Sequence, residues 1–184
     1  LKKAPERYVC IWSHHHIVMD GWCFGIVMKE FLMIYQSLGD GRLPSLEPVQ
    51  PYGKYIKWLM KQDRKEAEIF WKTRLADLEQ TASLPKKSAE PNGELEQAVF
   101  TISEEQTNEL KNIAARAGAT LNTVFQALWG ILLQRVSRCD DAVFGSVVSG
   151  RPSDLAGVEK MVGLFINTIP VRVKSGSFSF LELV

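Results

Sequence analysis

The sequence predicts a mixed α/β fold, and three observations carry that prediction. Short β-rich runs alternate with segments whose apolar residues recur at helical spacing. Hydrophobic residues make up 46% of the 184 positions, enough for one or two small units with real cores. No apolar run reaches the length of a membrane span.

The first element is a buried strand over 7–13, built on Tyr8-Val9-Cys10-Ile11-Trp12. An amphipathic helix follows over 20–38, with Phe24, Val27, Met28, Phe31, Tyr35 and Leu38 on one stripe and Gly39 as its stop. Residues 39–51 hold three prolines and two glycines and read as a loop. Helices are expected over 52–60 and 64–78, with Tyr55, Trp58 and Leu59 as core rather than a stacking platform. The polar stretch 79–93, with Pro85, Pro91, Asn92 and Gly93, is the best internal boundary. A strand over 98–102 comes next. Ser103-Glu104-Glu105-Gln106 has the form of a capping box opening a helix over 104–117, which Gly118 ends. The helix 121–138 is apolar on several faces, which predicts burial. A strand spans 141–149, Gly150-Arg151-Pro152 turns it, and a strand over 165–173 is interrupted by Pro170. The last residues, from Phe178, read as the opening of a helix.

A net charge of +1 gives no electrostatic case for nucleic acid or an anionic membrane. Cys10, Cys23 and Cys139 are odd in number and widely spaced, which argues for a reducing compartment, the cytoplasm, and against a disulfide framework. The chain begins with Leu1 and stops inside a helix pattern, so a segment of a larger protein is expected.

All three histidines are consecutive, in Ser13-His14-His15-His16-Ile17-Val18-Met19-Asp20-Gly21-Trp22. Their flanks are core-like, unlike those of a purification tag. On a strand, neighbouring side chains alternate faces, so His15 points away from His14 and His16 and the three make a poor chelate. No other metal-ligand spacing occurs, and no metal is expected. Asp20 stands at a strand-to-helix turn, where a carboxylate can orient an imidazole or brace the turn. Gly21 lets a ligand or another backbone come close. Cys23 falls inside the helix pattern and reads as a small packing residue rather than a nucleophile.

His15, His16, Asp20 and Gly21 fit His-His-x-x-x-Asp-Gly, which resembles the core motif of condensation domains from nonribosomal peptide synthetases, of the subtype whose donor ends in an L-residue. A second place, Tyr52-Gly53-Lys54-Tyr55-Ile56-Lys57-Trp58, is a partial match: Lys54 replaces an acid and Ile56 an alanine. The third, Val162-Gly163-Leu164-Phe165-Ile166-Asn167-Thr168 with Pro170 and Arg172 after it, matches well, as does the Ser149-Gly150-Arg151-Pro152 turn. The resemblance implies a chloramphenicol-acetyltransferase-like two-lobed fold, incomplete at both ends. Residues 1–85 would be the later part of the N-terminal lobe, 86–93 a connector and 94–184 the first part of the C-terminal lobe.

The chemistry implied is attack by the α-amine of one carrier-bound aminoacyl thioester on the carbonyl of another. His16 is then the base or the hydrogen-bond acceptor that holds the amine in line. His15 faces the lobe interior. Asp20 is structural, with Arg151 or an arginine upstream as its partner. Gly21 and Trp22 open the helix whose positive end can stabilise developing negative charge. Asn167 contacts the phosphopantetheine arm or braces the tunnel between the lobes, and Arg151 faces a phosphate or pairs with Asp20. No cofactor is bound by the domain itself. The expected partners are upstream and downstream peptidyl carrier proteins and an adjoining adenylation domain, and the piece alone is expected to be inactive. An epimerization domain, which shares the histidine motif, and a non-catalytic docking platform for carrier proteins are the alternatives.

Overall fold

A computed structural model describes residues 1–79, 84, 97–176 and 178–184. The connector expected over 86–93 lies outside them. The described chain is mixed helix and strand: β1 Lys2–Ala4, β2 Arg7–Tyr8, α1 Gly21–Gly39, α2 Gly53–Leu59, α3 Arg64–Leu75, α4 Glu104–Arg116, α5 Leu121–Ser137, β3 Asp141–Ser149, β4 Ile166–Lys174 and α6 Phe180–Leu183. Two short 3-10 turns, His16–Val18 and Val158–Lys160, matter for the site.

Local chemistry explains most boundaries. Asp20 occupies the N-cap of α1 through its carbonyl, which accepts the Cys23 N–H at 3.1 Å, with no side-chain cap bond, and Gly41, at φ +66°, follows the helix end with an N–H to the Leu38 carbonyl. The Ser103 hydroxyl accepts the Gln106 N–H at 3.1 Å while the Gln106 amide accepts the Ser103 N–H at 3.1 Å, the expected capping box. The Thr120 hydroxyl caps α5 by accepting the Thr123 N–H at 3.2 Å, without the reciprocal bond.

Two expected strands fail for one reason. Of 7–13 only Arg7–Tyr8 is a strand, paired antiparallel to β1, and none forms over 98–102. Strand propensity is realised only against a partner ladder, and among the described residues segment 7–13 finds one only in the short β1 while no strand pairs with 98–102. β4 runs through Pro170 without the expected break. Among the described residues β4 belongs to a two-stranded sheet, so it is an edge strand, where proline is tolerated. The stripe of α1 is also less buried than expected, with Phe24, Phe31, Tyr35 and Leu38 all exposed. On α5, Val124, Ala127, Gly130 and Leu133 are buried, but Phe125, Leu128, Trp129, Leu132 and Val136 are exposed.

The chain divides into two compact units that are discontinuous in sequence. One comprises residues 1–67 and 147–167, the other 68–146 and 168–184. The first is built on Tyr55, Val158, Met161 and Phe165, with Tyr52, Trp58 and Leu155 against them. In the second, α4 packs on α5, and the Gln134 amide donates to the carbonyls of Asp140 at 2.9 Å and Val173 at 2.7 Å. Arg172 there joins Asp141 and Asp77, which holds the Asp77 carboxyl well below the usual range.

Candidate active site

The site lies in the first unit. The three histidines do not lie on a strand. His15 precedes the 3-10 turn, and its Nδ1 accepts the Ile17 N–H at 3.1 Å. An accepting Nδ1 places the proton of the neutral ring on Nε2. The expectation that His15 faces the interior is therefore corrected: without a ladder partner the segment closes a local bond, and the ring is exposed. The His14 ring lies 5.1 Å from that of Trp12. His16 is exposed and makes no hydrogen bond with the described residues.

Asp20, four residues on, is 7% exposed and fully engaged. Its Oδ2 accepts the N–H groups of Phe165 at 3.0 Å and Ile166 at 3.2 Å. Its Oδ1 stands 3.3 Å from the Cys23 sulfur and 3.7 Å from Arg151 Nη2. Burial pushes this carboxyl up. The Phe165 N–H, the Cys23 thiol and the Arg151 charge outweigh it and hold the group below the usual carboxylate range. Arg151, expected to face a phosphate or pair with Asp20, stands beside the carboxylate at that 3.7 Å separation. Its Nη1 also donates to the carbonyls of Val158 and Met161, and its guanidinium lies 3.8 Å over the Phe165 ring. Its Nε is the one buried side-chain nitrogen or oxygen without a partner among the described residues.

Gly21 opens α1 with no atom within 4 Å of where a Cβ would stand, so nothing described here demands a glycine. Trp22 is exposed, and its indole N–H donates to the Glu159 carbonyl at 3.1 Å. Asn167 is the second residue of β4, immediately after the two N–H groups that Asp20 accepts.

Three distant stretches of chain thus converge. Tyr52 donates its hydroxyl proton to the Leu164 carbonyl at 2.5 Å and packs edge-on to Phe165 at 5.1 Å. The Tyr55 ring lies 4.6 Å from that of Phe165, and the Trp58 indole donates to Asp154 at 3.0 Å. A Cβ on Gly163 would stand 2.0 Å from the Tyr52 ring, and one on Gly150 2.2 Å from the Phe165 carbonyl oxygen. Lys54, where the resemblance expects an acid, bonds Gln50 on the surface. The residue that sequence reasoning underrated is Cys23. Its spacing of three from Asp20, one helical step, was the available signal. Among the described residues no three His, Cys, Asp or Glu side chains group as metal ligands would, and no helix is long and apolar enough to cross a membrane.

The fold is that of condensation and epimerization domains. The X-domain from teicoplanin biosynthesis superposes with a TM-score of 0.71 at 26% identity, over 92% of this chain and 40% of that one. The first condensation domain of the calcium-dependent antibiotic synthetase gives 0.66 at 22%, over 92% and 38%. The epimerization domain from the third module of tyrocidine synthetase B gives 0.69 at 18%, over 92% and 40%. The condensation domain family model matches residues 1–184, and the chain belongs to that family. A plipastatin synthase of Bacillus subtilis (strain 168) is 66% identical over 185 residues, and gramicidin S synthase 2 of Brevibacillus brevis 50% over 182. These alignments cover 100% and 97% of this chain but 7% and 4% of those proteins.

Proposed function

We propose that this chain is the central part of a domain that joins two carrier-bound acyl groups by an amide bond in nonribosomal peptide synthesis. The carrying observation is the division of labour within one motif. Asp20 is buried and saturated, whereas His16, four residues before it, is exposed and unengaged by the described residues. Both substrates arrive as thioesters on phosphopantetheine arms of upstream and downstream carrier proteins, beside an adenylation domain, in the cytoplasm. The domain binds no cofactor of its own. The acceptor nitrogen attacks the donor carbonyl, the C–N bond forms, the C–S bond breaks, and the nitrogen's proton ends on the departing thiolate. An α-amine titrates near ~8, so a useful fraction is already neutral and His16 need only accept its hydrogen bond and hold it in line. The open face of Gly21 leaves room for the thioester carbonyl at the positive end of α1, beside Trp22. Asn167 contacts an arm, and Arg151 acts through Asp20. Residues 1–85 belong to the first lobe and 94–184 to the second. The donor is an L-residue.

The test uses the intact synthetase with two loaded carriers. His16→Ala should lower single-turnover amide formation by at least ~100-fold, the lower end for a positioned acid–base group. Amide formation by the variant at the parent rate would overturn the role of His16. Solvent deuterium appearing at Cα without amide would mark an epimerization domain instead.

A further inference from the structure

We propose that Cys23 is a positioning residue whose thiol bridges Asp20 and Arg151, an inference that rests on the amide-forming reading for its effect on rate but not for the bridge itself. The ion pair is not closed. Asp20 Oδ1 and Arg151 Nη2 stand 3.7 Å apart, well beyond the ~2.7–2.9 Å of a charge-assisted hydrogen bond. The Cys23 sulfur lies 3.3 Å from each of those two atoms. It also accepts the Gly163 N–H at 3.3 Å, and the Gly163 carbonyl is 3.1 Å away. Its single proton therefore has two oxygens within 3.3 Å, Asp20 Oδ1 and Gly163 O, and a third, the Met161 carbonyl, at 3.9 Å, while two donors point at its lone pairs.

The side chain is fully buried, yet four polar atoms stand within 3.3 Å of it. A residue that merely fills space does not collect such a shell. What the sulfur joins is the framework of the site. Asp20 is the N-cap of α1 and follows His16 by four residues, and its other oxygen holds the N–H groups of Phe165 and Ile166 just before Asn167. Removing the bridge leaves the carboxylate and guanidinium to shift toward each other, which moves the helix end against the 161–166 segment and with it the frame around His16.

The experiment compares Cys23→Ser, Cys23→Ala and Cys23→Val in the intact synthetase with two loaded carriers. Serine keeps a donor and acceptor in less volume, whereas valine keeps volume without either. With positioning by the thiol, Ser stays within ~3-fold of the parent single-turnover rate while Ala and Val fall by ~10-fold or more, the effect of one lost polar contact on alignment. The half-saturating acceptor-carrier concentration should move less than ~2-fold in all three, since ground-state binding is untouched. A rate for Val equal to or above that for Ser overturns the proposal. Should the parent itself make no amide, the amide-forming reading falls, and thermal melts decide the bridge alone. Midpoints in the order Ser above Ala and Val support it, and Val at or above Ser overturns it. If Ala and Val are insoluble, soluble Ser protein supports the bridge and insoluble Ser protein overturns it.

Discussion

Asp20 commits both carboxylate oxygens, one to two backbone N–H groups and one to a thiol and a guanidinium. Taking one partner from a buried pair costs ~3–5 kcal/mol, so Asp20→Ala in the intact domain should lower the chemical-denaturation midpoint accordingly at pH 7. The sign with pH follows from the depressed folded-state pKa. The stabilisation is present above the ordinary value of 3.8 and is lost as pH falls through the lower folded value. The gap between parent and variant should therefore narrow from pH 7 to pH 3, and an unchanged gap would refute the ionic account. The sequence pointed to such contacts, because a carboxylate at a strand-to-helix turn calls for a partner, and Arg151 was one of two candidates. The orientation of His15 was not legible. It depends on whether the segment finds a ladder partner, and failing one the ring caps its own turn.

Among the elements, legibility followed the range of the forces. The capping box at Ser103, the end of α1 near Gly39 and the ranges of α4 and α5 are set within a few residues, and sequence showed them. Strands 7–13 and 98–102 depend on neighbours elsewhere, and propensity alone overstated both. The same distinction governs Gly130, in the middle of α5. Alanine there gains ~1 kcal/mol of helix propensity in isolation. In the fold its Cβ would stand 2.4 Å from Val173 Cγ2 on β4, and overpacking costs ~1–3 kcal/mol. Gly130→Ala should lower the melting midpoint of the intact domain, and adding Val173→Ala should recover part of the loss. A single variant melting at or above the parent would show that the contact yields freely.

At the scale of the molecule, apolar rows stand uncovered among the described residues, including Phe24, Phe31, Tyr35 and Leu38 of α1 and Phe125, Leu128, Trp129, Leu132 and Val136 of α5. Exposed rows of this kind bind hydrophobic dyes and self-associate. Residues 1–184 prepared alone should enhance the fluorescence of such a dye well above the intact domain, and equal signals would refute this. The resemblance in the three motifs was legible at once, but their meeting around Phe165 was not, since nothing local relates residues more than a hundred positions apart. That separation has a further consequence. The bond from the Phe165 N–H to Asp20 spans 145 positions. A ribosome adding ~5–20 residues per second needs about 7–30 s to cover that stretch. Throughout that interval the nascent helix carries a solvated carboxylate and an open thiol, both destined for burial. The histidine motif is translated before the segment that supports it, so a pause or truncation between them leaves a chain that bears the motif without the framework beneath it.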